Sequence, residues 1–271
     1  LPFPANDLVY YARVFAQQLP TTDAPPKNLS YDDLIAAGDE AVATGNTAAA
    51  NVSYRQALAL NRNDPAVWLK LADVQIERAD ADLANNNSSS AYDFAQNATY
   101  SALNGFLLSE SVAERAKALA SLAAGLERRQ MWREAIASYR TSIALVDDAG
   151  LQGRLDQVVA EHGFRITSNQ VDSEAADPRI CVVFSDTLPG GDTDLSSYVV
   201  VEGAPQVAVE TEQSQLCLTG VDHGRRYAIR IRSGLPSASG EELRNEAELN
   251  VYVPDRSPFV GFANNAYVMP A

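Results

Sequence analysis

The chain has 271 residues, 46% of them apolar, a formal net charge of −14 and a sequence pI near 4.5. That length suits about two packed domains, and the acidic balance excludes a partner bound through a nucleic-acid backbone or an anionic membrane surface, since both call for clustered Lys and Arg. No apolar run approaches the roughly 20 residues that cross a bilayer, so no membrane span is expected in this region.

The sequence opens at Leu1 with no charged and apolar leader, the pattern expected of a processed chain or an excised fragment, so a signal segment is not present in it. Residues 1–30 read as an N-terminal helix and a connector. Leu8, Val9, Tyr11, Ala12, Val14 and Phe15 recur at helical spacing, with Asn6 or Asp7 as N-cap and Pro20 expected to stop the helix. A Pro-rich stretch, 20–28, follows. Ser30 and Asp33 form a capping-box-like start for a helix over about 31–44. Gly45-Asn46 is the turn, and Thr47 caps a helix over about 48–61. Asp64-Pro65 places proline at the first position of a helix spanning about 66–79. Residues 80–90, DADLANNNSSS, are expected to form an exposed loop before a helix over about 91–107. A further pair is predicted over about 111–128 and 131–146, and a last helix over about 149–162 carries Leu151, Leu155, Val158 and Val159 on one stripe.

One pattern recurs through these helices. Leu34, Ala37, Gly38, Ala41, Gly45, Ala50, Tyr54 and Ala57 set it out, and Trp68, Leu71 and Ala72 restart it thirty-four residues after Leu34. Leu119, Leu122, Ala123, Leu126, Gln130, Trp132, Ala135, Tyr139 and Ser142 give a third copy. The spacings resemble the tetratricopeptide repeat, in which small residues let paired helices approach and large ones fill the space between them. Residues 31–163 are thus expected to form an α-solenoid of three helix pairs, covered at its end by the last helix.

From Phe164 the period changes to short strands separated by turn signals. The expected strands are 164–168, 179–184, 198–202, 206–210, 215–218, 226–232 and 247–253. Seven strands in this space fit an immunoglobulin-like antiparallel β-sandwich over 164–258. The whole chain is then a multidomain α + β protein.

Cys181 and Cys217 fall in two of these strands. Their spacing excludes a CxxC redox motif, and two thiols alone do not make a zinc site. If the strands are neighbours the sulfurs can bridge, which would indicate an oxidising compartment; two buried thiols or a reactive cysteine are the alternatives. His162 and His223 have no Cys or second His at ligand spacing, and no GxSxG elbow or phosphate-cradling loop is present. Asp192-Thr193-Asp194 lacks the further oxygen ligands of a calcium loop and reads as a solvated turn. Asn51-Val52-Ser53, Asn87-Ser88-Ser89 and Asn97-Ala98-Thr99 fit the glycosylation sequon. No catalytic, cofactor or metal residue is assigned, and the chain reads as non-enzymatic.

The first helix of each pair is expected to line the concave face. That face would hold Asp32, Ile35, Asp39 and Val42, then Leu69, Asp73 and Ile76, then Lys117, Ala120 and Ala124. The Lys and Asn set that clamps a peptide carboxylate in chaperone-binding repeats is missing, so a basic or amphipathic protein segment suits this face, unless it is solvated or occupied within the molecule.

A second resemblance covers Pro178 to Ala271. Its residues are Pro178-Arg179-Ile180-Cys181-Val182-Val183-Phe184-Ser185 with Leu188-Pro189, Tyr198-Val199-Val200-Val201-Glu202, and Leu216-Cys217-Leu218 with Gly220. Asp222-His223-Gly224, Tyr227, Gly234-Leu235-Pro236-Ser237, Asp255-Arg256-Ser257-Pro258 and Ala266-Tyr267-Val268-Met269-Pro270 complete it. The series resembles a segment of large bacterial α2-macroglobulin-like proteins that precedes their first macroglobulin domain. The resemblance implies a periplasmic or cell-envelope protein that traps proteases, with 259–271 as the start of a following macroglobulin-type domain. The CGEQ thioester of that family is absent from this chain. The implied role is a non-enzymatic module that docks a protein partner or the remainder of the same large chain; the competing expectation is a stand-alone repeat adaptor for envelope assembly or polysaccharide-related complexes. Oligomeric state stays open.

Overall fold

A computed structural model describes residues 1–190, 193–204 and 206–257; the expected strand within 259–271 lies outside them. The chain divides into two compact units, Leu1–Gly163 and Phe164–Ala271.

The first unit is helical: α1 (Asn6–Thr22), α2 (Tyr31–Ala43), α3 (Thr47–Leu60), α4 (Pro65–Ala84), α5 (Ser88–Leu108), α6 (Val112–Arg128), α7 (Trp132–Leu145) and α8 (Ala149–His162). Short turns join α2 to α3, α4 to α5 and α6 to α7, and each pair packs together as an antiparallel hairpin. Side-chain caps set the starts. Ser30 with Asp33 and Ser111 with Glu114 form reciprocal capping boxes, Asn46 rather than the expected Thr47 caps α3 by accepting from the Ala49 amide, and Asp64 accepts from Ala66 and Val67 ahead of Pro65. Leu34, Tyr54, Leu58, Trp68 and Leu71 form one buried cluster, and Leu103, Leu119, Leu122 and Leu126 form the next. Glycine decides how closely the helices approach. A Cβ on Gly38 would lie 2.4 Å from Tyr54 Cε1, and one on Gly125 would lie 2.9 Å from Thr99 Oγ1. The terminal helix α8 packs on α7 and buries Leu155 and Val158 against Ile136 and Tyr139.

Two expectations about helix ends are corrected. Residues 80–90 are not a loop: α4 continues to Ala84, α5 starts at Ser88, and the turn is confined to 85–87. Asn86 makes that turn with φ of 58°, a conformation asparagine tolerates, while the ADADLA run carries strong helix formers. The extra residues therefore lengthen the helix pair. Pro20 does not stop α1 but sits in its last turn, and the Asp23 amide still donates to Leu19 O.

The second unit contains β1 (Ile166–Asp172), β2 (Arg179–Phe184), β3 (Val199–Val201), β4 (Ala208–Glu212), β5 (Gln215–Thr219), β6 (Arg225–Ile231) and β7 (Ala247–Val253). The first strand starts two residues later than expected and runs on to Asp172, paired along β2. Two antiparallel sheets result, ordered β1-β2-β5-β4 and β3-β6-β7. This is the strand order of a constant-type immunoglobulin sandwich. Ile180, Val182, Phe184, Leu216 and Leu218 of one sheet share a core with Tyr227, Ile229, Ile231, Val251 and Val253 of the other. Tyr227 also receives a hydrogen bond at its hydroxyl from the Asp222 amide, 2.7 Å away, the corner by which a strand-F tyrosine fixes the preceding turn. Cys181 and Cys217 are bonded as a disulfide across directly opposed positions of β2 and β5. Strand alternation turns both away from the shared core, toward the outer face of their sheet.

Candidate functional site

The candidate site is the face presented by α2, α4 and α6, the first helix of each pair. Asp32, Ile35, Asp39 and Val42 lie three, four and three residues apart in the sequence, which places them on one side of α2. Asp32, Asp39 and Val42 are exposed, and Ile35 is half-buried. On α4, Asp73 and Ile76 are half-buried, and on α6 Lys117 is exposed with Ala120 and Ala124 half-buried. Leu69 departs from this set. It is 3% exposed, because it packs where Gly105 of α5 opens a space; a Cβ there would approach Leu69 Cδ2 to 2.7 Å.

The acids on this face are partnered from helix to helix. Lys70 of α4 donates to both carboxylate oxygens of Asp39 at 2.6 and 2.7 Å, and the Tyr54 hydroxyl donates to Asp39 at 2.6 Å. Ser121 of α6 donates to Asp73 at 2.8 Å, and Lys117 Nζ lies 3.4 Å from the same carboxylate. Arg128 of α6 makes a two-point contact with Asp80 of α4, both bonds 2.6 Å. Burial pushes the Asp39 carboxyl upward, but the hydrogen bonds from Lys70 and Tyr54 and the Lys70 charge outweigh it and hold it below the usual carboxylate range. The Tyr54 hydroxyl is raised, by burial first and by its bond to Asp39 second. The face is thus a row of cross-helix acid–base contacts interrupted by Ile35, Val42 and Ile76.

Sequence reading missed the partners Lys70, Ser121, Asp80 and Arg128. A signal existed: Asp39 and Asp73 stand thirty-four residues apart, at one repeat position, so each faces the next first helix in a similar way.

The remaining candidates have structural roles here. His162 stacks on the Trp132 ring with 3.5 Å between centroids, and His223 Nε2 lies 2.8 Å from Ser173 O. Asp194 accepts from the Ser196 amide in a local turn, and Asp192 lies outside the described residues. Among the described residues no group of three His, Cys, Asp or Glu side chains is placed to hold a metal, and no helix is long and apolar enough to cross a membrane.

These features define a tetratricopeptide-like helical-repeat protein with an antiparallel sandwich at its C-terminal side. No protein-family model matches the chain, and no curated protein does. Among solved structures, the N-terminal domain of stress-induced protein-1 (STI-1) from C. elegans matches at 18% identity, covering 49% of this chain and 98% of that one, with a TM-score of 0.35. That likeness is too faint to carry a functional argument.

Proposed function

We propose that the chain is a non-enzymatic protein-interaction module whose α2–α4–α6 face docks a segment of a partner protein or of the remainder of the same large chain. The observation that carries this reading is the face itself: α2 leaves Val42 exposed and Ile35 half-buried, and α4 leaves Ile76 half-buried, between acids that run from helix to helix. A basic amphipathic segment fits, because its apolar side covers those residues while its cations compete with Lys70 and Lys117 for Asp39 and Asp73. The test is titration with an amphipathic helical peptide of Lys and Leu. Saturable binding that weakens with salt and is lost in Asp32→Lys/Asp73→Lys supports the reading; binding unchanged by the reversal overturns it.

The finer proposal is that this module belongs to a bacterial α2-macroglobulin-like protease inhibitor of the periplasm or cell envelope. Its support is the residue series from Pro178 to Ala271 and the cystine, which suits an oxidising compartment. A gene that continues past Ala271 into a series of β domains, with a product that traps proteases, is expected; a product that ends without them removes the inhibitor reading and leaves the docking module.

A further inference from the structure

We infer that a cleft formed by α1, α5 and the end of α6 binds an organic carboxylate whose body is flat and apolar. The cleft measures about 550 Å³ and is lined by Tyr11 and Phe15 of α1, Gln96 and Tyr100 of α5, and Arg129, the residue that ends α6. It draws on no residue of the α2–α4–α6 face, so it stands or falls separately from the docking proposal.

The rings form one connected wall. Tyr11 stacks on Tyr100 at 6.5 Å between centroids with 30° between planes, and Phe15 meets Tyr100 at 6.0 Å. Tyr11 nevertheless remains 52% exposed. Aromatic surface left open beside a cavity is the kind of surface that small-molecule sites present.

Arg129 supplies the charge. Its Nε and Nη1 are buried, and among the described residues neither has a hydrogen-bond partner. Buried donors left without acceptors are costly, and a guanidinium has five donors and no way to lose its proton. The guanidinium lines the cleft, so a carboxylate entering it meets a planar, charge-assisted partner. The same group lies close enough to Tyr100 for its charge to be felt at that hydroxyl, so cation and rings belong to one site. Asp7 also lines the cleft and opposes a doubly charged ligand, which favours a carboxylate over phosphate. The ligand's ring would then lie along Tyr11 and Tyr100, and the amide of Gln96 would take a remaining polar substituent.

The experiment is calorimetric titration of the chain with phenylacetate, phenylacetamide and inorganic phosphate. Phenylacetate should bind saturably at one site, and the amide and phosphate about tenfold more weakly or worse, the size expected from losing or mismatching one charge-assisted contact. Arg129→Gln should weaken phenylacetate about tenfold while leaving the amide nearly unchanged. Tyr11→Ser alters an exposed ring, so the fold should persist; it should weaken acid and amide alike. Asp73→Lys, on the docking face, should leave phenylacetate binding intact. Failure of phenylacetate to saturate, equal binding of acid and amide, or undiminished binding by folded Arg129→Gln would each overturn the assignment.

Discussion

Tyr54 shows how single side chains set this repeat. It is 2% exposed, its hydroxyl donates to Asp39, and its ring occupies the space that Gly38 leaves. Gly38→Ala pushes a methyl into that ring, and neither a buried tyrosine nor the helix backbone has room to give. We expect a loss of about 1–3 kcal/mol in denaturant unfolding, the usual cost of overpacking, rather than the gain that Gly→Ala brings at a free helical position. Trp68 is the complementary case. It is 1% exposed, packs 6.1 Å from Phe15 between ring centroids, and donates from Nε1 to Arg62 O at 2.8 Å. Trp68→Ala should cost about 3–5 kcal/mol, with both a cavity and an orphaned carbonyl left behind. A near-neutral effect on melting would mean that the repeat is held by something other than this cluster.

At the scale of elements, α1 is not part of a repeat, yet it packs against α3 and α5 and is pinned at its end. Arg55 of α3 donates to both oxygens of Asp23 at 2.7 Å, and its guanidinium lies 5.3 Å from the centre of the Phe15 ring. Burial pushes the Asp23 carboxyl upward, but the bonds from Arg55 and Thr22 and the Arg55 charge outweigh it, so its pKa is lowered. A carboxyl depressed by folding stabilises the fold above its unfolded value and loses that contribution as pH falls through the folded one. Asp23→Asn should therefore lower the urea midpoint at neutral pH, and the gap from the parent should close as pH drops below about 4. A gap that persisted in acid would assign the loss to packing instead. Much of this level was legible in the sequence. Ser30 and Asp64-Pro65 announced helix starts because such signals act locally, and the turn-bounded run 226–232 announced β6. The run from Asp80 to Ser90 misled because Asn and Ser suit both loops and tight helix ends, and only packing of the lengthened α4 and α5 decides between them. The acids on the α2–α4–α6 face followed from period alone, whereas their partners did not. The aromatic cleft was invisible for a plainer reason: Tyr11, Tyr100 and Arg129 are far apart along the chain, and only the folded stack gathers them.

For the molecule as a whole, the two units carry different reporters. Both tryptophans, Trp68 and Trp132, belong to the helical unit, and the disulfide belongs to the sandwich. The bond spans a sequence separation of 36, for which the chain-entropy model gives a contribution of about 4 kcal/mol. Reduction, or the Cys181→Ala/Cys217→Ala pair, should lower the unfolding temperature of the sandwich in hydrogen exchange while leaving the tryptophan-reported transition in place. A matching drop in the tryptophan signal would show that the units unfold as one.

The placement of that cystine has a mechanical consequence. An immunoglobulin bridge between facing sheets fastens the two halves of the sandwich to each other; here the bond joins neighbours within one sheet and encloses β3 and β4. Pulled from its ends, the sandwich should yield only the polypeptide outside the bridge, with the enclosed 36-residue span withheld from the force. An optical-trap recording should find the extension on rupture shorter by roughly 120 Å than in the reduced protein, the reach of that much extended chain. The tether would thus act as a stop that limits how far a tugged sandwich can lengthen.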